Sequence, residues 1–281
     1  MEPDPALGAV KTYRYLRLAL VALVVLLFSA VAIEWWSTGP SCLQPSISAY
    51  YYTPVRAVFV GVLVTMGVCL IALKGNTEVE DVLLNFAGML APGVAFVPTA
   101  ASGQCRSVPL GAAEVGANVA NNMQALFVAG LLVAAVVVVI ARRDVAGAAL
   151  GTWDRIGILV AAAVLVGGAV WFYVARDSFV AHAHGAAAVP MFLALVAVVW
   201  ANARDVHESV AVRGESTRMR FVRVYQGIAG GMLLALGATV ALSLLTHSTS
   251  VVFWVEVVLI TLFGAFWVVQ TAELWSKGLR P

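Results

Sequence analysis

The 281-residue chain is 62% hydrophobic and only 11% charged, with a mean hydropathy of +0.93 and a formal net charge of +2. A soluble domain has about 25% charged residues, so this composition argues against a water-soluble protein and indicates a surface that faces lipid. The small net charge and the lack of a basic block argue against nucleic-acid binding.

Eight apolar stretches are each long enough, at roughly 20 residues, to cross a bilayer as a helix. In chain order they cover residues 15–34, 56–74, 82–98, 120–141, 155–175, 180–202, 222–245 and 251–273. The first is too long for the apolar part of a signal peptide, and Pro92 predicts a kinked or partly broken third helix. We therefore expect an all-α, polytopic transmembrane bundle of eight spans, with seven as the alternative, forming one membrane domain over residues 1–281.

The distribution of lysine and arginine predicts the orientation. With the N-terminus in the cytoplasm, fourteen of these residues fall on the cytoplasmic side and three, Arg56, Arg106 and Arg176, on the outer side. An even number of spans also places the C-terminus in the cytoplasm. The longest cytoplasmic loop, 203–221, is either an ordinary positively charged loop or one that lies on anionic headgroups. We expect a multi-pass protein of a bacterial plasma membrane.

Three consecutive tyrosines, Tyr50, Tyr51 and Tyr52, precede the second span in "SCLQPSISAYYYTPVRAVFVG". Pro54 favours extended backbone at Thr53, so the second helix should begin just after it. Tyrosine is common at the membrane interface, but three in a row cannot all point the same way. We expect at least one to turn inward, as part of a rim over an outward-opening pocket.

Glu256 lies inside the last span, where an ionised carboxylate is costly without a partner. It either reaches out to the headgroups or faces the bundle interior, where Arg56 is the first candidate partner. We expect the outer polar residues to form a ligand pocket. Its candidate residues are Tyr50, Tyr51, Tyr52, Arg56, Asn121, Asn122, His182 and Glu256.

The "HAH" segment, His182 to His184, raises a metal-binding hypothesis. On a helix, residues two apart point away from each other, whereas in an extended turn both could reach one zinc ion, with Asp177 or His247 as a further ligand. The alternative is one hydrogen-bonded histidine inside the bundle and one in water.

Two of the three cysteines, Cys42 and Cys105, lie in neighbouring outer loops. An oxidising compartment favours a disulfide between them, and two free thiols are the alternative. Cys69 lies within the second span and should be a small buried apolar residue.

Several residues are predicted to serve helix ends and packing. Asp81 should support the start of the third helix through the helix dipole, and Asn85 should bond to a neighbouring helix. Gly227, Gly230 and Gly231 should let another helix approach closely.

Four segments, "PSISAYYYTPVRAVFVGVL", "EDVLLNFAGMLAPGVAFVPT", "HGAAAVPMFLALVAV" and "FWVEVVLITLFGAFWVV", resemble a group of uncharacterised bacterial multi-pass membrane proteins. That resemblance implies the architecture and no activity. The chain is more distantly similar to the membrane hydrolase superfamily of alkaline ceramidases and adiponectin receptors, which has a seven-helix core and a zinc held by three histidines. This similarity implies roles for Ser46 or Ser48, Asp81 and His182.

These observations favour a non-enzymatic membrane protein that binds a lipid, a small amphiphile or a partner protein at its outer pocket, in transport, sensing or an accessory role. Such a protein needs no cofactor. One alternative is a zinc-dependent hydrolase acting on a lipid, with a polarised water as nucleophile and His182, His184 and His247 as ligands. Another is a secondary transporter that uses Glu256 as a proton or cation site.

Overall fold

The computed structural model describes residues 5–99, 112–143, 151–208, 214–245 and 249–275. Within these ranges the chain forms eight α-helices and two short 3₁₀ helices, Pro40–Cys42 and Ser48–Tyr52, and no strand. The α-helices are α1 (Pro5–Thr38), α2 (Arg56–Ala72), α3 (Glu78–Phe96), α4 (Ala112–Arg143), α5 (Thr152–Val174), α6 (Arg176–Glu208), α7 (Glu215–Leu245) and α8 (Thr249–Glu273).

Among the described residues, seven of these helices are long and apolar enough to cross a membrane. The remaining helix, α2, is apolar but has 17 residues. At about 1.5 Å per residue, it extends roughly 26 Å, close to the ~30 Å hydrocarbon thickness of a bilayer. Each predicted stretch coincides with one helix in the predicted order, so the all-α multi-pass membrane bundle is confirmed.

Six of the helices close a ring in the order α1, α2, α3, α6, α7, α8 and back to α1. Neighbours in this ring run in opposite directions. We call the end at which α1 begins and α8 ends the inner end; there the Arg14 guanidinium donates a hydrogen bond to the Trp275 carbonyl. The opposite end is the outer end. The lysine and arginine distribution predicts that the inner end faces the cytoplasm.

The contact between α2 and α3 depends on two glycines and a proline. Helix α3 is unbroken through Pro92 to Phe96. Because proline has no N–H, the Gly88 carbonyl lacks its usual helical donor. That carbonyl faces Gly67 of α2, where an added β-carbon would lie only 2.6 Å from it. The glycines therefore allow a close approach, and a weak Cα–H···O contact can serve the freed carbonyl.

Helices α4 and α5 lie outside the ring, against α3 and α6. Only Ala175 separates α5 from α6, so these two helices form a tight hairpin. At the outer end, the rings of Phe127, Phe172 and Phe179 pack together and hold these helices to α6. Further inward, residues 131–140 of α4 are all exposed, as expected for apolar side chains that meet lipid.

The glycines of α7 serve packing at one position only. An added β-carbon at Gly231 would lie 3.0 Å from Leu262 of α8, whereas at Gly227 and Gly230 it would meet nothing within 4 Å. The prediction that all three admit a neighbouring helix is therefore wrong for Gly227 and Gly230, because their side of α7 faces away from α8.

Candidate functional site

The tyrosines lie in the 3₁₀ helix Ser48–Tyr52. Thr53 is extended, with φ −117° and ψ 175°, as expected before Pro54. Tyr50 is 0% exposed and Tyr51 2% exposed, and both belong to the main hydrophobic core, while Tyr52 is half-buried. Two of the three therefore turn inward, and they pack within the core instead of standing as a rim.

A chain of hydroxyl groups fastens this segment to the outer end of α3. The Oγ atoms of Ser46 and Ser48 lie 3.0 Å apart, and Ser48 Oγ lies 3.3 Å from Thr99 Oγ1. The Tyr52 hydroxyl donates to the Thr99 carbonyl at 2.8 Å. The serines suggested by the hydrolase resemblance are thus hydrogen-bonded to each other and to Thr99.

Glu256 and Arg56 bond to different partners, so the pair expected between them is not formed. The Ile47 backbone N–H donates to Glu256 Oε2 at 2.6 Å. The Arg56 Nε donates to the Tyr51 carbonyl at 2.8 Å, with the guanidinium 5.1 Å from the Tyr51 ring centre. The Glu256 side chain therefore binds the backbone at the start of the 3₁₀ helix, and the Arg56 side chain binds the backbone near its end. Within the described ranges no cation pairs with Glu256, and its Oε1 atom has no hydrogen-bond donor.

Aromatic rings lie beside Glu256 at the outer end of α8. Phe253 packs on Tyr50, with ring centres 6.2 Å apart, and on Trp254, at 5.2 Å. Trp254 in turn meets the edge of Trp35 of α1 at 6.4 Å. We call Trp35, Tyr50, Phe253 and Trp254 the outer aromatic cluster. It combines rings from α1, the 3₁₀ helix and α8, and Phe253 lies three positions before Glu256 on α8.

Acidic side chains lie near this cluster. Burial raises the pKa of the Tyr50 hydroxyl; the nearby Gln44 backbone amide opposes this shift, and the Glu34 carboxylate adds to it. The Tyr50 Oη is buried and makes no hydrogen bond within the described part of the chain. A neutral hydroxyl and two carboxylates, Glu34 and Glu256, therefore flank the rings.

The two histidines of "HAH" point to different surroundings. His182 is exposed, with its Nδ1 3.0 Å from the Ser178 carbonyl of its own helix. His184 is half-buried, with its Nδ1 2.8 Å from the Val97 carbonyl at the end of α3. Since a carbonyl only accepts, each Nδ1 carries the proton. The extended turn that would direct both rings to one ion is absent, because both histidines lie within α6.

The expected metal ligands are not brought together in the described residues. Asp177 lies in the first turn of α6, and no group of three potential ligands occurs in the ranges that the structure covers. His247 lies outside those ranges.

The remaining outer residues are distributed more widely. Asn121 is exposed and Asn122 half-buried on α4, which packs outside the six-helix ring. Cys42 is disulfide-bonded, and Cys69 is a free, buried thiol. Cys105 lies outside the described residues, so its pairing with Cys42 stays a prediction.

A second polar centre lies at the inner end, and the sequence analysis missed it. Glu80 of α3, Asn202 of α6 and Gln270 of α8 are each no more than 2% exposed. Asn202 Nδ2 donates to Glu80 Oε1 at 2.8 Å, and Gln270 Nε2 donates to Asn202 Oδ1 at 2.9 Å. Asn76 donates to Glu80 Oε2 from its backbone at 2.8 Å and from its side chain at 3.2 Å. We call these four residues the inner network.

A helix cap supports the inner network, and other buried polar groups lie at the same end of the ring. Thr77 is the N-cap of α3 and accepts from the Glu80 N–H at 3.2 Å. This "TEVE" pattern is a capping-box sequence and could have drawn attention to Glu80. Close by along α8, the Tyr225 hydroxyl donates to Glu273 Oε2 at 2.6 Å in a buried contact. Arg17 is also buried.

The predicted roles of the neighbouring α3 residues have mixed outcomes. Asp81 lies in the first turn, as expected from the helix dipole, and accepts hydrogen bonds from Lys74 Nζ and the Gly75 N–H. Asn85 is half-buried, and within the described ranges it makes none of the expected interhelical hydrogen bonds.

Within the described ranges the six-helix ring thus carries a polar centre at each end, and of these two the outer one combines an unsatisfied carboxylate oxygen with aromatic rings. No protein-family model, curated protein or solved structure matches this chain.

Proposed function

We propose that this multi-pass membrane protein is non-enzymatic and binds an amphiphile with an ammonium headgroup at its outer end, beside Glu256 and the outer aromatic cluster. The proposed setting is a bacterial plasma membrane, with the inner end in the cytoplasm. The observation that carries the proposal is the Glu256 carboxylate, which has one backbone donor at 2.6 Å and no cation within the described ranges.

The chemistry of the cluster favours a cation. A buried or half-buried carboxylate inside a span is stabilised by a positive partner, and Glu34 adds a second negative charge beside Tyr50. An ammonium group over the face of a tryptophan or tyrosine ring gains about 0.5–2 kcal/mol. An anionic ligand would face two carboxylates without such compensation.

The position of the cluster favours an amphiphile over a purely water-soluble ion. Trp254 is 51% exposed on the side of α8, at the level where indole rings meet the membrane interface. A headgroup can therefore approach Glu256 while its apolar tail stays in lipid.

The test is calorimetric binding of hexyltrimethylammonium to the full chain in nanodiscs, with hexanol as the uncharged comparison. The quaternary nitrogen of this probe has no N–H, so its attraction to Glu256 is that of an ion pair, worth about 3 kcal/mol at about 5 Å and an effective dielectric constant of about 20, before desolvation. Glu256→Gln should therefore weaken binding about 10- to 100-fold. The matched control is Glu114→Gln, which removes an exposed carboxylate at the start of α4. Equal binding of hexanol, or unchanged affinity in Glu256→Gln, would refute the proposal.

A second candidate function, secondary transport coupled to a cation, is favoured by one face of α8 that carries a polar side chain near each end and aromatic rings between them. Glu256, Phe263, Trp267 and Gln270 follow one another at spacings that place them on one helix face. Trp267 is buried, and its indole N–H has no acceptor in the described part of the chain. Uptake of hexyltrimethylammonium into proteoliposomes that is lost in Glu256→Gln would support transport, and uptake that survives this change would count against it.

The zinc-dependent hydrolase is a weaker candidate, because the residues present do not fit a shared metal site. His182 and His184 hold their Nδ1 atoms on carbonyls of different helices. Near-stoichiometric zinc in the purified protein, lost on His182→Ala, would favour the hydrolase, whereas metal-free protein unchanged by a chelator would exclude it.

A further inference from the structure

An open groove lies at the inner end, on the first turns of α7. Its volume is about 590 Å³, within the range of roughly 300–1,000 Å³ that ligand sites occupy. The lining residues are Glu215, Ser216, Met219, Arg220, Arg223 and Val224. The groove is far from the outer aromatic cluster, because α7 starts at the opposite end of the ring.

The charge of the groove is positive. Arg220 and Arg223 are three positions apart, so their side chains share one helix face, and both are exposed. Within the described ranges neither arginine makes an ion pair. Glu215 is the one acid among the described lining residues, which together carry one net positive charge and two guanidinium groups.

An apolar track continues from the groove along the membrane-facing side of α7. Val224 and Leu234 are exposed. Between them, a β-carbon added at Gly227 or Gly230 would meet nothing within 4 Å. The backbone is therefore open along this track, as an acyl chain lying against the helix would require.

We propose that this groove binds an anionic phospholipid of the inner leaflet. The phosphate lies between Arg220 and Arg223, where guanidinium groups can each give two parallel hydrogen bonds, and one acyl chain follows Val224, Gly227 and Leu234. The argument for a lipid is charge complementarity at this depth: the cytoplasmic leaflet is negative and attracts basic residues beside a span.

The test measures lipid binding to the detergent-purified full chain by native mass spectrometry, with dioleoyl phosphatidylglycerol and dioleoyl phosphatidylcholine as probes. The unchanged chain should bind phosphatidylglycerol more tightly than phosphatidylcholine. Each arginine near an anionic surface contributes roughly a fivefold gain, so the double variant Arg220→Gln/Arg223→Gln should lower the affinity for phosphatidylglycerol about 30-fold. The control Arg155→Gln/Arg204→Gln removes two other exposed inner arginines and should change it less than threefold.

Two further arms separate the possible occupants. Gly227→Leu fills the open track and keeps both arginines, so it should weaken lipid binding, and excess inorganic phosphate should not displace the lipid. Equal losses in both double variants would overturn the site, as would full displacement by phosphate. A dimer that forms without lipid and is lost in Gly227→Leu would show that a second copy of the chain occupies this face.

Discussion

Replacing Asn202 by leucine should destabilise the bundle strongly. Asn202 is fully buried and bonds to three other segments: to Glu80 at 2.8 Å, to Gln270 at 2.9 Å and to Asn76 at 3.4 Å. At about 0.6 kcal/mol for each hydrogen bond between helices in a membrane, their loss costs roughly 2 kcal/mol. Removing a donor from the buried Glu80 carboxylate adds about 1–3 kcal/mol. We therefore expect Asn202→Leu to lower the free energy of unfolding by about 3–5 kcal/mol.

The assay is equilibrium unfolding in mixed micelles, followed by circular dichroism. The matched control is Asn121→Leu, the same change at an exposed position of α4, which should alter stability by less than about 0.5 kcal/mol. The double variant Glu80→Met/Asn202→Leu should lose less than the sum of its single changes, because replacing both partners leaves no unpaired group. If Asn202→Leu unfolds at the same denaturant concentration as the natural chain, the inner network does not hold the helices together.

Three further predictions follow from local contacts. Gly67→Ala should lower the free energy of unfolding by about 1–3 kcal/mol, because the added β-carbon would lie 2.6 Å from a backbone carbonyl of α3. The control Gly61→Ala adds a β-carbon that meets nothing within 4 Å, so it should be neutral or stabilising. Thermal melts compare the two variants, and equal melting temperatures would contradict the close approach of α2 and α3. Burial raises the pKa of the Tyr51 hydroxyl, and the Arg56 charge opposes this shift. The protonated hydroxyl therefore contributes its full stability below pH 10, and this contribution is lost as the pH rises through the raised pKa. Tyr51→Phe should lessen this alkaline fall in melting temperature, and an unchanged pH profile would refute the prediction. The hydrogen bond to Asp81 raises the pKa of Lys74, so Lys74→Gln should lessen the fall above pH 10.5 in the same way, measured against Lys11→Gln.

Hydropathy was sufficient to locate all eight helices, because a membrane-crossing helix must be apolar along most of its length, and that property is local in sequence. The arrangement of the helices is not local. The ring places α3 beside α6, with α4 and α5 displaced to the outside, and no residue pattern in α3 identifies its partner.

The polar centres show the same limit. Glu256 stood out because it interrupts an apolar run, but the backbone N–H that it binds belongs to Ile47, a residue with no polar side chain. Asn202 and Gln270 lie near the ends of their predicted spans, where polar residues are ordinary, so only the packing of α3, α6 and α8 reveals that they are buried together. His182 and His184 looked like a pair of ligands in the sequence. Because α6 already begins at Arg176, both histidines lie on a helix, where residues two apart point away from each other.

Photo-crosslinking with an ammonium amphiphile that carries a diazirine beside its nitrogen tests the proposed outer site most directly. We expect the label on the first turns of α8, around Trp254, and on the 3₁₀ helix Ser48–Tyr52, with excess hexyltrimethylammonium and the Glu256→Gln change each removing it. Labelling that is confined to α4 and α5, or that persists unchanged in Glu256→Gln, would show that the outer aromatic cluster does not bind the headgroup.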